Sequence, residues 1–138
     1  MKVLVTGATG FVGREVLRQL DETGCSVRIL AREPDSRRVR DVAGRFPVEF
    51  HRGDVLDTAS LEGGLKQIDA VIHLVGIISE VGENTFENVH ARGTENIVNA
   101  ARKAGVWRFV HMSALGTRPD AISHCSVQTE PCCPAQFR

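Results

Sequence analysis

Apolar residues along the chain alternate between two rhythms. Val3-Leu4-Val5, inside Lys2 to Thr6, is an unbroken apolar run that ends at glycine. That is the pattern of a parallel strand covered on both faces. From Phe11 to Leu20 the spacing becomes helical. Val12, Val16, Leu17 and Leu20 share one face, Arg14, Glu15, Arg18 and Gln19 share the other, and Gly24 follows as a stop. Ser26 to Ala31 predicts a second strand, and the charged stretch Arg32 to Arg45 predicts a short exposed helix after Pro34. Pro47 to His51 predicts a third strand. Leu56 to Leu65 predicts a weak helix, capped by Asp57 or Thr58. Asp69 to Val75 is the most apolar strand. Asn84 to Ala104 is the strongest helix, with Phe86, Val89, Gly93, Ile97, Ala100, Ala101 and Ala104 on one face and Gly105 after it. Trp107 to Met112 predicts a fifth strand.

Strands alternating with helices at this spacing imply an α/β fold, a Rossmann-type doubly wound parallel sheet of about five strands in the order 3-2-1-4-5. Strand five then lies at an open edge, where Trp107, Phe109 and Val110 would be sticky. Unless the tail covers that edge, a homodimer through it or marginal solubility is expected. After Thr117 the periodicity stops. Residues 1–120 are expected to form the nucleotide-binding domain and 121–138 an irregular tail.

Composition narrows the classes. Lys plus Arg and Asp plus Glu both number 17 in 138 residues, so no basic excess points to nucleic acid. No run reaches the roughly 18 apolar residues that span a bilayer, and the first strand meets its glycine turn too soon for a signal peptide. A cytoplasmic protein is expected, in which Cys25, Cys125, Cys132 and Cys133 form no disulfide framework. His124, Cys125, Cys132 and Cys133 match no common zinc spacing, so no metal is expected.

Candidate chemistry lies in Thr6-Gly7-Ala8-Thr9-Gly10-Phe11-Val12-Gly13, between the first strand and the first helix. Gly7 permits a sharp turn off the strand. Gly10 lets a pyrophosphate approach the backbone, and Gly13 lets the helix pack closely. The first amides of a helix and its positive dipole end suit two phosphates. The residues expected at a dinucleotide are therefore Gly7, Thr9, Gly10, Phe11, Val12 and Gly13.

This loop resembles the cofactor loop of the extended and atypical short-chain dehydrogenase/reductase families. Gly53-Asp54-Val55 is similar to the family's adenine-contacting step, which implies a role for Asp54 and Val55 there. Leu74-Val75-Gly76 is similar to the backbone lining the nicotinamide side, which implies a role for Leu74 and Gly76. His90-Ala91-Arg92-Gly93-Thr94-Glu95-Asn96 resembles the family's Asn-Val-x-Gly-Thr-x-Asn helix, with His90 at the asparagine position. Arg108-Phe109-Val110-His111-Met112-Ser113 resembles its fifth strand. The resemblance covers residues 1 to about 120. It is strongest to the branch holding an accessory subunit of respiratory complex I and proteins like nucleoside-diphosphate-sugar epimerases.

NAD-preferring sites place Asp or Glu at the end of the second strand; here Ala31-Arg32 stands there. A guanidinium suits a 2′-phosphate, so NADP is preferred and NAD remains open. The plainer alternative is a solvated Arg32, with Glu33 serving NAD. Arg14 is a further phosphate candidate or simply an exposed residue. His73 and His111 are expected to be hydrogen-bonded core residues, and His51 to lie near solvent.

In the resembled family, catalysis uses a Ser or Thr after strand five and a later Tyr-x-x-x-Lys pair, the lysine lowering the tyrosine pKa. Ser113 stands at the serine position. The sequence contains no tyrosine, and no lysine follows Lys103. The family pattern fades near Ser123, as a frameshift or a divergent ending would make it do. Three functions follow as expectations: a dinucleotide-binding module without turnover, a fragment of an NADP-dependent oxidoreductase or nucleotide-sugar epimerase or dehydratase, or a non-functional truncation product.

Overall fold

The computed structural model describes residues 1–113. The expected domain boundary near 120, the tail, and the set His124, Cys125, Cys132 and Cys133 lie outside the described residues. The elements are β1 (Lys2–Thr6), α1 (Phe11–Glu22), β2 (Ser26–Ala31), α2 (Arg37–Ala43), β3 (Val48–Arg52), α3 (Thr58–Gly64), β4 (Ala70–His73), a π-helical stretch Glu87–Arg92 running into α4 (Gly93–Lys103), and β5 (Arg108–His111).

The sheet has the expected order β3-β2-β1-β4-β5, and every pairing is parallel. Val5 sits opposite Ile29 on one side and Ile72 on the other. Residues of β1 alternate between two cores. Val3 and Val5 pack with Leu17 of α1 and Val42 of α2, while Leu4 packs with Leu61 of α3 and Ile97 of α4. Each such fully buried side chain contributes about 1.5–3 kcal/mol. Both faces of β1 are thereby covered, which explains its unbroken apolar run.

Local chemistry sets the helix ends. Asp57 caps α3 by accepting the Ala59 amide hydrogen, and Ser36 caps α2 through Val39 N–H. On α1, Gly13 and Leu17 are buried and Val16 and Leu20 are partly buried, but Val12 is exposed, contrary to its expected place on the inner face. Val12 sits in the first turn of the helix, next to the still more exposed Phe11.

The strongest expected helix is the element most changed. Asn84 belongs to a tight turn, paired with Val81 by two backbone hydrogen bonds, and helical structure starts only after Phe86. Its first stretch is wound as a π-helix, with Gly93 N–H reaching back to Asn88 C=O. This turns Val89 and His90 inward, while Ala104 is exposed. Gly93 is needed because a Cβ there would stand 2.8 Å from Val55 Cγ2.

At the open edge, β5 pairs with β4 alone among the described residues. Trp107 and Val110 are exposed, and Arg108 stacks its guanidinium over the indole at 4.3 Å. Phe109 instead packs against the core, so it does not belong to the exposed edge. Among the described residues, no helix is long and apolar enough to cross a membrane.

Candidate dinucleotide cleft

Four strand ends meet at one cleft of about 620 Å³ on the carboxyl-terminal rim of the sheet. It lies at the switch point, where the chain leaves the β1–β2–β3 side for β4 and β5. Gly7, Thr9 and Gly10 form its floor after β1. Leu30, Ala31, Arg32 and Glu33 come from the end of β2, Asp54 and Val55 from the end of β3, and Leu74, Val75 and Gly76 from the end of β4.

The floor is shaped by absent side chains. Gly7 has φ +72°, and a Cβ on it would stand 2.8 Å from both C and O of Leu74. Only glycine fits where the turn passes the end of β4. A Cβ on Gly13 would come within 2.5 Å of Gly7 O, so Gly13 seats α1 against the turn rather than against the sheet. Gly10 is different. Its φ of −75° is ordinary, and a Cβ would meet only Gly7 O, at 3.3 Å. Gly10 therefore leaves its side of the cleft open.

Gly10 is also the N-cap of α1 and has no side chain to fill the first turn. Arg14 N–H is the first to bond back, to Gly10 C=O at 3.2 Å. The amides of Phe11, Val12 and Gly13 precede it, and no acidic residue occupies that turn. Open amides, the positive dipole end and a bare cap are together chemically suited to accept an anion.

Of the residues expected at a dinucleotide, Gly7, Thr9, Gly10, Arg32, Asp54, Val55, Leu74 and Gly76 line this one cleft. Phe11 and Val12 do not; the Phe11 ring is 96% exposed, so these two residues offer only their main chain. Gly13 lies buried beneath the turn. Ser113 is exposed beyond β5 and does not line the cleft. Arg14 is neither free nor in the cleft, because it pairs with Asp41 of α2 at 3.0 Å.

The β2 end of the cleft carries more positive charge than Arg32 alone. Ser36, Arg37 and Arg38, from the start of α2, also line it, as does Asn84 from the turn after β4. The signal was present as Ser-Arg-Arg at a helix start after the second strand, but the stretch read only as a solvated face. At the β3 end, Asp54 Oδ1 accepts the Leu56 amide hydrogen at 3.0 Å, and Ser60 Oγ braces the Asp54 backbone. Asp54 Oδ2 has no hydrogen-bond partner among the described residues.

A histidine cluster lies behind the β4 side. His73 is fully buried, with Nδ1 2.6 Å from Thr6 Oγ1 and Nε2 3.2 Å from Thr94 Oγ1. Burial, and secondarily the neighbouring His111 and His90, push its pKa down to about 3. His90, at the position where the resembled family has asparagine, is buried and accepts the Ile77 amide hydrogen on Nε2 at 2.9 Å. It thus holds the strand-four loop. His111 stacks on His73 at 5.4 Å, and its pKa is lowered, mainly by burial. Against expectation, its ring nitrogens have no hydrogen-bond partner among the described residues. His51 Nε2 is tied to Ser60 O at 2.9 Å, and its ring lies against Gly63 and Gly64. Among the described residues, no group of three or more His, Cys, Asp or Glu side chains could hold a metal ion.

The chain is similar in sequence and fold to known proteins. The family described as NAD dependent epimerase/dehydratase matches residues 3–136. The mitochondrial NADH-ubiquinone oxidoreductase 40 kDa subunit of Neurospora crassa is 34% identical over 121 residues, covering 85% of this chain and 32% of that protein. UDP-glucose 4-epimerase of Haemophilus influenzae is 32% identical over 126 residues, covering 83% of this chain and 37% of that protein. A short-chain dehydrogenase/reductase superfamily protein from Agrobacterium tumefaciens, solved with bound NAD, superposes with a TM-score of 0.67 at 29% identity, covering 88% of this chain and 36% of that one. The chain thus spans about a third of the length of the relatives it matches. With its glycine turn, its switch-point cleft and a family match along nearly its whole length, the chain belongs to the NAD-dependent epimerase/dehydratase family.

Proposed function

We propose that this chain is the dinucleotide-binding part of an NADP-linked oxidoreductase or nucleotide-sugar epimerase, and that the chain as given binds cofactor without turning over substrate. The observation that carries the reading is the bare floor at Gly10. Gly10 lines the cleft without a side chain, immediately before the first-turn amides of α1. A pyrophosphate would sit there, against Gly7, Thr9 and Gly10 and the amides of Phe11, Val12 and Gly13. The adenine would lie toward Asp54 and Val55, where the unpartnered Asp54 Oδ2 can accept from its amino group. The nicotinamide would lie along Leu74 and Gly76. When bound, the cofactor supplies reversible hydride transfer; the protein supplies position.

The phosphate preference rests on charge. Arg32, Arg37 and Arg38 line the adenosine end, and none has an ion-pair partner among the described residues. A 2′-phosphate there would meet a guanidinium fork rather than the usual acid. Glu33 also lines the cleft and supports NAD as the second reading. Absence of turnover rests on the sequence, which contains no tyrosine to work with Ser113.

The test is a thermal shift with each reduced cofactor. A ligand at 100 times its Kd stabilises the fold by about 2.7 kcal/mol, or roughly 10 °C in Tm at this size. NADPH is expected to reach that shift at lower concentration than NADH. If neither shifts Tm, the binding reading fails; if NADH acts at the lower concentration, the NADP preference fails.

A further inference from the structure

The turn Val81–Asn84 belongs to the segment after β4, yet it touches Arg32, the residue that follows β2, on the far side of the cleft. Arg32 Nη1 donates to Asn84 Oδ1 at 3.3 Å, across 52 positions of sequence. Asn84 is well placed to hold a partner still. Its N–H and C=O both pair with Val81, at 3.1 and 3.2 Å. Gly82, within the turn, takes φ +58°. Beyond the turn, Glu80 Oε1 accepts Phe86 N–H at 2.7 Å, and Asn88 Nδ2 donates to Glu83 O at 2.8 Å. The amide of Asn84 thus projects from a braced turn onto the exposed guanidinium of Arg32.

We propose that Asn84 is a positioning residue for cofactor choice, which holds Arg32 by one corner and presents its remaining Nε and Nη2 edge to the 2′-phosphate of NADP. This rests on the NADP reading above. Guanidinium has five N–H donors in a planar fork. Asn84 Oδ1 engages one nitrogen, and Nε and Nη2 have no partner among the described residues. These two can grip a phosphate bidentately while Nη1 stays on Asn84. A neutral amide suits this task. A carboxylate at this place would fix Arg32 as firmly but would cancel its charge and repel the phosphate.

Immobilising a long side chain in advance removes an ordering cost of about 0.5–1.5 kcal/mol from binding, which corresponds to about a two- to tenfold change in affinity. Asn84→Ala, Arg32→Ala and the double variant, each in the full 138-residue chain, are titrated with NADPH and NADH by calorimetry. Asn84→Ala is expected to weaken NADPH two- to tenfold and to leave NADH unchanged. In the Arg32→Ala background, Asn84→Ala is expected to do nothing further. Equal weakening of both cofactors, or an undiminished effect of Asn84→Ala without Arg32, would overturn the proposal. If Arg32→Ala lowers the NADPH preference while Asn84→Ala does not, this inference falls alone. If Arg32→Ala leaves an NADPH preference intact, Arg32 is not its source and this inference falls while the NADP reading stands; if the unmodified chain shows no NADPH preference, the NADP reading itself falls.

Discussion

Replacing Gly7 and Gly10 by alanine, one at a time, separates a turn that only connects β1 to α1 from one that seats phosphate. At Gly7 the new methyl would be held in the left-handed region, which costs about 1–2 kcal/mol. It would also stand 2.8 Å from Leu74 C and O and 3.0 Å from Val75 N. These are main-chain atoms of the β4 end and cannot rotate away, so overpacking adds about 1–3 kcal/mol. Gly7→Ala is therefore expected to lose roughly 2–5 kcal/mol, a large part of the stability of a single domain. Gly10→Ala needs no unusual φ, meets only Gly7 O at 3.3 Å, and exchanges one cap residue for a poorer one, at about 1 kcal/mol. Its methyl, however, enters the cleft over the first-turn amides. Losing one or two charge-assisted hydrogen bonds of about 1.5–3 kcal/mol each weakens NADPH at least tenfold. Urea denaturation reads the first effect and calorimetric titration the second. A folded Gly10→Ala chain that binds NADPH within twofold of wild type would refute the phosphate seat.

Acid should weaken the fold before any carboxylate titrates. His73 has a folded pKa near 3 against 6.5 unfolded, so the unfolded chain binds the extra proton. Its stabilising share is complete above pH 6.5 and is lost as pH falls toward 3, at about 1.4 kcal/mol per unit. The unfolding free energy from urea denaturation should thus drop between pH 7 and pH 5 by about 2 kcal/mol from His73 alone, with His111 adding in the same direction; a flat profile over that window would contradict the buried neutral histidine. A homodimer through β5 is the remaining proposal. Val110→Lys should turn a dimer seen by light scattering into a monomer, and a wild-type monomer at high concentration would refute it.

The strand order was legible because strands alternate with helices at a spacing that fits right-handed crossovers. The unbroken Val3-Leu4-Val5 run required cover on both faces, and both cores supply it. Glycine spacing located the cleft floor, since Gly7 and Gly13 are fixed by close backbone approach that no side chain could permit. The π-helical start of the fourth crossover was not legible. It brings Gly93 so close to Val55, far away in sequence, that a Cβ there would stand 2.8 Å from Val55 Cγ2. Arg37 and Arg38 were missed for a similar reason. Their charges look solvated until α2 folds beside the end of β2 and aims its start at the cleft. Phe11 and Val12 follow the glycine loop, but both are exposed, which leaves their amides as what they could offer a ligand.

Amide chemical shifts of the labelled chain, recorded while NADPH is added, probe the anion seat atom by atom. Saturable shifts are expected to be largest at Gly10, Phe11, Val12 and Gly13, with smaller ones at Arg32 and Asp54. Binding that left the first turn of α1 unmoved and shifted residues elsewhere would contradict the placement of the pyrophosphate at the helix start.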